Sequence, residues 1–399
     1  MFTHVDLKYM KNQVPPTDDP YIGLMAKEEV TIARSFHRSF PQYKETPLQD
    51  LRQMADYLGL GKVAVKDESW RYGLNSFKAL GGAYAMGRFI AKEFGKSIDE
   101  LPYSVLTSED FLKNLPPVTF FSATDGNHGR GVAWTARMLH QRCVILMPKG
   151  TSQSRFDNIK KLGAEVTIED LNYDECVRKA AKLAEETPHS VIVQDTSWPG
   201  YFDIPAWIMQ GYGVTADEAA EQFGGRPTHI FVQAGVGCFA GSVTGYFSAL
   251  YPDDPPKIVV VEPHAADCMY RSNEKGDGSR VIVEGDMDSC MAGLACGEPC
   301  EIGWDLFRNH ATGFISGEDR MTMRGMRMLA GCFKEDPHIT SGESGAATFG
   351  ALATIMMEDC YKDIRSQLGL GPDSRVLLFS TEGDTDPVHY RKVVWDGLD

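Results

Sequence analysis

One lysine stands apart from its surroundings in the sequence. Lys78, in the stretch NSFKALGGAYA, is the only charged residue between Arg71 and Arg88. Most lysines are exposed and cover apolar surface with their stems, but here the neighbours are apolar or small, and Gly81 and Gly82 allow a backbone or a ligand to approach closely. A buried amine is costly unless it is neutral or used covalently. The stretch therefore predicts either a buried structural lysine or one that bonds to a cofactor.

Three polar or glycine-rich loops follow predicted strands. ATDGNHGRG begins at Ala123, AGVGCFAG at Ala234 and STEGDTD at Ser380. Ligand sites gather beyond the carboxyl ends of parallel strands, and the strand, glycine turn and helix start of AGVGCFAG are typical of phosphate binding. NAD would also fit this loop, because Glu262 lies at about the distance expected of a ribose-binding acid. The upstream lysine favours a phosphorylated Schiff-base cofactor instead.

Three carboxylates lie where they could act on a bound ligand. Asp125 is in the first loop, Asp195 follows a predicted strand in QDTSWPGY, and Glu343 lies in SGESGAA. A carboxylate near a reacting carbon can serve as a general base. Each also has a structural explanation: a turn aspartate, a cap before the next turn, and an acid in the first turn of a helix.

The whole chain excludes several classes of protein. Its 399 residues exceed one typical domain, and 43% hydrophobic residues can build a core. A net charge of -15 excludes a nucleic-acid or membrane-surface partner, and no stretch approaches the roughly 18 apolar residues of a spanning helix. The N-terminal residues lack an apolar signal region, so a cytoplasmic location is expected. The nine cysteines lack metal-ligand spacing, which predicts no metal site and mostly reduced thiols, although Cys296 could pair with Cys268.

Strand-like and helix-like segments alternate, which is typical of an α/β fold with mostly parallel sheets. We expect a small domain over residues 82–199, inserted into a large domain of residues 1–81 and 200–399. Polar stretches at residues 104–117 and 272–289 read as loops. The predicted strands are Val63–Lys66, Thr119–Ser122, Arg142–Met147, Glu165–Ile168, Ser190–Gln194, His229–Gln233, Lys257–Glu262 and Arg375–Ser380.

Six motifs occur in a fixed order: NSFKALGGAYA, ATDGNHGRGVAW, QAGVGCFAG, MAGLACGEP, SGESGA and STEGDTD. Together they resemble pyridoxal-phosphate enzymes of the tryptophan-synthase-β fold type, fold type II, and within it the ammonia-lyases that act on 2,3-diaminopropionate. The resemblance extends from about Lys66 to Trp395. It implies two domains, each a mostly parallel sheet flanked by helices, with pyridoxal 5'-phosphate in the cleft between them.

The resemblance also implies roles for residues that would hold this cofactor. Lys78 would bond to it covalently, and Asn127 would donate to the oxygen on ring carbon 3. Glu343 would bond to the ring or orient the substrate. The amides around the phosphate would be those of Gly235, Val236, Gly237, Cys238 and Phe239.

The pyridine nitrogen would face a hydroxyl, from Ser380 or its neighbour Thr381. A hydroxyl does not favour protonation of the ring nitrogen, so the ring is a weaker electron sink, which suits an elimination. Glu382 would reverse this argument if its carboxylate faced the nitrogen instead.

The activity implied by the resemblance is elimination of 2,3-diaminopropionate to pyruvate and two ammonia by a carbon–nitrogen lyase. Asp125 would be the base for the D isomer and Asp195 the base for the L isomer, while Lys78 moves protons. The family implies a homodimer that takes a small amino acid. A serine or threonine dehydratase of the same fold and a nicotinamide-dependent oxidoreductase are the alternatives.

Overall fold

The computed structural model describes residues 4–124 and 126–398, apart from the side chain of residue 174. Within these residues the chain forms eleven strands. They are β1 (Leu7–Lys11), β2 (Leu48–Asp50), β3 (Lys62–Asp67), β4 (Thr119–Ala123), β5 (Arg142–Met147), β6 (Glu165–Ile168), β7 (Ser190–Ile192), β8 (His229–Gln233), β9 (Lys257–Pro263), β10 (Gly313–Gly317) and β11 (Arg375–Ser380).

Sixteen α-helices are formed by the same described residues. They are α1 (Lys27–Arg38), α2 (Arg52–Leu58), α3 (Ala79–Glu93), α4 (Tyr103–Leu106), α5 (Glu109–Asn114), α6 (Asn127–Met138), α7 (Gln153–Lys160), α8 (Tyr173–Glu186), α9 (Asp203–Phe223), α10 (Cys238–Leu250), α11 (Cys268–Lys275), α12 (Glu301–His310), α13 (Asp319–Ala330), α14 (Glu343–Met357), α15 (Lys362–Leu368) and α16 (Pro387–Val394). No helix among the described residues is long and apolar enough to cross a membrane.

The chain divides into two compact units. The larger one holds the residues up to Lys27, Glu45–Phe77 and the residues from Thr215 onward, and the smaller one holds Glu28–Lys44 and Lys78–Val214. The smaller unit therefore begins at Lys78 instead of the predicted residue 82, ends at Val214 instead of residue 199, and includes a segment from the N-terminal region.

The larger unit contains a seven-stranded sheet in the order β1-β10-β9-β8-β11-β3-β2. The inner strands are parallel, and the edge strands β1 and β2 run antiparallel to their neighbours. Strands such as β8 (HIFVQ) are buried throughout, as expected of parallel strands that are covered on both faces. Because β3, β8 and β11 are parallel, their following loops lie at one edge of the sheet.

The smaller unit contains a four-stranded parallel sheet in the order β6-β5-β4-β7. Its core packs α8 against β4 through Phe121, Cys176 and Ala180. The loop after β4 carries the motif ATDGNHG, and the loop after β7 carries Asp195. Both loops thus leave the carboxyl ends of adjacent strands.

The predicted α/β class and all eight predicted strands are confirmed. The sequence missed β1, β2 and β10, and residues 104–117, predicted as a loop, contain most of α4 and all of α5. α5 begins where the side chain of Ser108 accepts a hydrogen bond from the amide of Phe111, a cap that favours a helix start even in a polar segment.

A group of four charged side chains is completely buried in the larger unit: Lys66, Glu68, Arg71 and Glu218. Arg71 donates to both oxygens of Glu68, each at 2.8 Å, and to those of Glu218 at 2.9 and 2.8 Å. Lys66 Nζ donates to Glu218 at 2.7 Å and to the carbonyl of Thr46 at 2.7 Å. We call these four residues the buried charge cluster. It anchors the turn Glu68–Gly73, a few residues before Lys78.

Candidate active site

The backbone before Lys78 is paired with the loop after β11. The amide of Phe77 donates to the carbonyl of Thr381 at 3.2 Å, and the amide of Gly383 donates to the carbonyl of Asn75 at 3.1 Å. Asn75 has a φ of 57°, which few non-glycine residues adopt. These bonds fix the chain direction in the residues that lead to Lys78, which directly precedes α3.

The amine of Lys78 contacts a carboxylate. Its Nζ donates to Oδ2 of Asp195 at 2.5 Å and lies 5.8 Å from the centre of the Tyr212 ring. The side chain of Lys78 is 20% exposed, whereas that of Asp195 is 5% exposed. The lysine that the sequence placed among apolar neighbours thus has a carboxylate as its hydrogen-bond partner.

Three side chains lie close to the same oxygen of Asp195, Oδ2. Besides Lys78, the hydroxyl of Tyr212 donates to Oδ2 at 3.1 Å, and Nδ1 of His128 lies 3.6 Å from it. Burial alone would raise the pKa of Asp195, but the charges of His128 and Lys78 and the hydrogen bonds from Lys78 and Tyr212 outweigh burial and hold the pKa well below its usual range. Its hydrogen-bond donors are side chains, so it does not act as a helix cap.

The orientation of His128 follows from its other nitrogen. Nε2 donates to the carbonyl of Val193 at 2.8 Å, which directs Nδ1 toward Asp195. When the ring is protonated, Nδ1 also carries a proton, and the positive charge of the ring then lies beside Asp195. The sequence assigned no catalysis to His128, and only the fold brings it to Asp195.

Glycines allow the helices around Lys78 to pack closely. A Cβ on Gly81 would lie 2.5 Å from Cε1 of Tyr212, and a Cβ on Gly211 would lie 2.5 Å from the carbonyl oxygen of Leu80. On α6, a Cβ on Gly131 would lie 2.9 Å from the amide nitrogen of Ala79. Gly81, three residues after Lys78, therefore makes room for the ring of Tyr212.

The loop after β4 is held by Thr124. Its Oγ1 accepts hydrogen bonds from the amides of Gly126 at 3.0 Å and Gly129 at 3.1 Å. Asn127 is the first residue of α6 and is half-buried. Asp125, one of the two predicted bases, lies outside the residues that the structure describes.

The glycine-rich loop of the larger unit ends at the N-terminus of α10. Gly237 has a φ of 97°, a conformation that favours glycine, and a Cβ there would lie 2.6 Å from Cε of Met269. A Cβ on Gly235 would lie 3.0 Å from the carbonyl oxygen of Gly293. Cys238 and Phe239 are the first two residues of α10, and the positive end of the helix dipole at such a start favours an anion. The loop therefore fits a phosphate group.

The loop after β11 orders several hydroxyl and carboxyl groups. Ser380 is completely buried, and its hydroxyl donates to that of Ser341 at 2.7 Å. Thr381 Oγ1 accepts from the side-chain amide of Gln233 at 3.1 Å. The carboxylate of Glu382 accepts from the amide of Ser344 at 3.1 Å. Of these three loop residues, Glu382 uses its side chain to brace the start of α14.

Glu343 lies beside Glu382 in the same region. Burial raises the pKa of Glu343, and the charge of Glu382 adds to this effect, while a short hydrogen bond from Nδ1 of His389 opposes it. His389, on α16, was not singled out by the sequence, since a histidine within an ordinary helix carries no spacing signal. The structure thus gathers Ser380, Thr381, Glu382 and Glu343 in the larger unit, and Lys78 with Asp195 in the smaller one.

Glu262 caps the start of a helix, so it does not support the alternative of a nicotinamide cofactor. Its two carboxylate oxygens accept from the amides of Met269 at 2.9 Å and Tyr270 at 2.8 Å, in the first turn of α11. It is completely buried, so it is not available to a ribose. Cys268 and Cys296 are free thiols, and no disulfide joins them.

The smaller unit has a lysine at a helix start, a residue type that can bond covalently to an aldehyde, and the larger unit has a glycine-rich loop of the kind that binds phosphate. Together with parallel α/β sheets, these two features are typical of enzymes that hold a phosphorylated cofactor on a lysine. The chain belongs to the family of pyridoxal-phosphate dependent enzymes, whose family model matches residues 40–382. This confirms the resemblance drawn from the six motifs and the predicted cofactor, pyridoxal 5'-phosphate.

Relatives within this family are similar over nearly the whole chain. The diaminopropionate ammonia-lyase of Escherichia coli strain K12 is 46% identical over 397 residues, which cover 98% of this chain and 96% of that protein. The crystal structure of the Escherichia coli diaminopropionate ammonia lyase in complex with D-serine is 44% identical, with a TM-score of 0.91, and covers 99% of this chain and 98% of that one. The same enzyme in complex with an aminoacrylate-PLP azomethine reaction intermediate has a TM-score of 0.89 at 44% identity, with 98% of both chains covered.

Proposed function

We propose that this protein is a carbon–nitrogen lyase that eliminates ammonia from 2,3-diaminopropionate, in both its D and L forms, and yields pyruvate and a second ammonia. The observation that carries the proposal is the 2.5 Å contact between Lys78 and Asp195, which joins a covalent anchor to a base. The names and full-length similarity of the Escherichia coli relatives support the choice of substrate.

The residues around Lys78 and around the glycine-rich loop fit the cofactor. When bound, pyridoxal phosphate withdraws electrons from the substrate and so acidifies its Cα proton. Lys78 would hold it covalently, Asn127 would donate to the oxygen on ring carbon 3, and Ser380 or Thr381 would face the ring nitrogen. Glu343 would bond to the ring or orient the substrate. The phosphate would be bound by backbone amides of the loop that comprises Gly235, Val236, Gly237, Cys238 and Phe239.

The carboxylates of this chain act on the substrate from opposite sides. Asp195 takes the Cα proton of the L isomer and Asp125 takes that of the D isomer. The bond between Cβ and nitrogen then breaks with its electron pair on nitrogen, which receives a proton from the Lys78 ammonium, from Asp125 or from a bound water and leaves as ammonia. One water hydrolyses the remaining enamine to pyruvate and the second ammonia. Each general base contributes about 10² to 10⁴ in rate.

The test is a coupled pyruvate assay with D- and L-2,3-diaminopropionate and with L-serine. We expect both diaminopropionate isomers to yield pyruvate faster than serine. Asp195→Asn is expected to lower kcat for the L isomer by about 10² to 10⁴ while activity with the D isomer remains. Borohydride reduction followed by mass spectrometry should place the cofactor on Lys78. Faster turnover of serine would favour a dehydratase, and no pyruvate from either isomer would refute the proposal.

We also propose that the protein is a cytoplasmic homodimer. Its nine cysteines are free thiols, which suits a reducing compartment. Large apolar side chains of the larger unit are exposed, with Trp70 at 67%, Val388 at 62% and Trp395 at 73%, and a second copy would cover such surface. Light scattering of the purified protein gives the mass that decides between monomer and dimer.

A further inference from the structure

The two oxygens of Asp195 have different surroundings. Lys78, Tyr212 and His128 all approach Oδ2. No hydrogen bond from any described residue reaches Oδ1. A carboxylate that is held by one oxygen presents the other as a base in a fixed direction.

The three groups on Oδ2 differ in how constantly they donate. Lys78 would exchange partners during the proposed reaction, because it would hold the cofactor covalently before the substrate binds. His128 donates from Nε2 to the carbonyl of Val193, so its Nδ1 donates to Asp195 only when the ring is protonated. The hydroxyl of Tyr212 takes no part in the proposed proton transfers, so its hydrogen bond to Oδ2 does not depend on them.

The ring of Tyr212 packs into space left by two glycines. It is completely buried, and the absent side chain of Gly81 leaves room for Cε1 and Cζ, which a Cβ would approach to 2.5 and 2.9 Å. The absent side chain of Gly211, next to Tyr212, allows α9 to approach the carbonyl of Leu80. The hydroxyl therefore reaches Asp195 from a ring with little freedom to move.

We propose that Tyr212 is a positioning residue for the L-specific half of the reaction: it holds Oδ2 of Asp195 while Lys78 is occupied elsewhere, so that Oδ1 stays aimed at the Cα proton. This inference rests on the proposed function, in which Asp195 serves the L isomer and Asp125 the D isomer. It assigns to Tyr212 a selectivity between isomers that a purely structural tyrosine would not have.

The experiment compares Tyr212→Phe with the parent holoenzyme on both isomers of 2,3-diaminopropionate. A hydrogen bond to a charged group contributes enough for a loss of about 10- to 100-fold in kcat for the L isomer, with KM little changed. Turnover of the D isomer should stay within about twofold. The matched control is Tyr246→Phe, which removes another buried tyrosine hydroxyl bonded to an aspartate, Asp217, at 2.6 Å, and should leave the ratio of the two isomers unchanged.

A double-mutant cycle tests whether Tyr212 acts through Asp195. In an Asp195→Asn background, Tyr212→Phe should lower L-isomer turnover no further. Equal losses with both isomers, no loss with either, or full additivity in the cycle would overturn the assignment while the lyase activity of the parent stands. A parent that forms no pyruvate from either isomer would overturn the proposed function, and the role of Tyr212 with it.

Discussion

Replacement of Arg71 by methionine should destabilise the larger unit strongly, because it unbalances the buried charge cluster. The cluster has two cations and two anions and so no net charge, and Arg71 makes five of its hydrogen bonds, to Glu68, Glu218 and Thr46. Without Arg71, the two buried carboxylates share one cation of the cluster, Lys66. Removal of one partner from a buried ion pair costs about 3 to 5 kcal/mol, so we expect a loss of about 4 kcal/mol in the free energy of unfolding.

Lys66→Met should cost less than Arg71→Met. Burial lowers the pKa of Lys66 despite the attraction of Glu218 and Glu68, so the charged lysine is held at a net cost. For Arg71, the attraction of Glu68 and Glu218 outweighs burial and raises the pKa well above its ordinary value. We expect about 2 kcal/mol for Lys66→Met, and less than the sum of the single effects for Lys66→Met combined with Glu218→Gln, which restores neutrality.

Urea unfolding monitored by tryptophan fluorescence measures these differences. The control is Arg142→Met, which removes an exposed pair with Glu165 and should change stability by less than about 1 kcal/mol. Arg71 and Lys66 hold the pKa of Glu218 well below its usual range, although burial opposes them. A carboxylate with a lowered folded pKa adds stability above its unfolded pKa of about 4.3 and loses it as the pH falls. The deficit of Arg71→Met should therefore shrink below about pH 4. A deficit under about 1 kcal/mol at neutral pH would refute this reasoning.

Two further predictions concern the phosphate loop and a buried acid. Gly237→Ala places a Cβ on a residue with a φ of 97°, 2.6 Å from Cε of Met269. The resulting strain of about 1 to 2 kcal/mol should weaken cofactor binding about tenfold in a fluorescence titration. The control Gly371→Ala, where a Cβ meets nothing within 4 Å, should leave binding unchanged. Burial raises the pKa of Glu262 to about 8, so the folded state binds more protons than the unfolded state. The contribution of Glu262 to the stability of the folded protein is therefore lost as the pH rises toward 8. Glu262→Gln should therefore gain stability relative to the parent as the pH rises from about 4.3 to about 8, and a constant difference in melting temperature over that range would contradict this.

The sequence predicts the elements whose cause is local. β8, β9 and β11 each contain a continuous apolar run of three or four residues, a pattern that is visible within a short window of the sequence. Lys78 is visible by contrast with its neighbours, and Gly237 by its place between a strand and a helix. In each case the signal lies within a few residues, so it survives without knowledge of the fold.

Contacts between distant parts of the chain leave no such signal. Lys78 and Asp195 are 117 positions apart, and nothing near Lys78 in the sequence announces an anion. Tyr212 and His389 lie within helices, where a tyrosine or a histidine is most often a packing residue. β1, with the sequence LKYMK, is an edge strand that depends on β10 for pairing, and β10 is a short, glycine-bounded segment. Tertiary contacts, more than β propensity, determine such strands.

The two antiparallel edge strands of the large sheet have a consequence for the order in which the chain folds during synthesis. β1, β2 and β3 are made first, but β1 pairs with β10 and β3 pairs with β11, which are made near the end. The smaller unit is complete once Val214 has been made. We therefore expect it to form early. Although β2 and β3 can pair with each other, β1 and the other edge of β3 wait for partners in the last third of the chain. Slow synthesis of the chain, or a chaperone that shields these early strands, should raise the yield of native protein. Rapid overproduction should instead increase the fraction that aggregates.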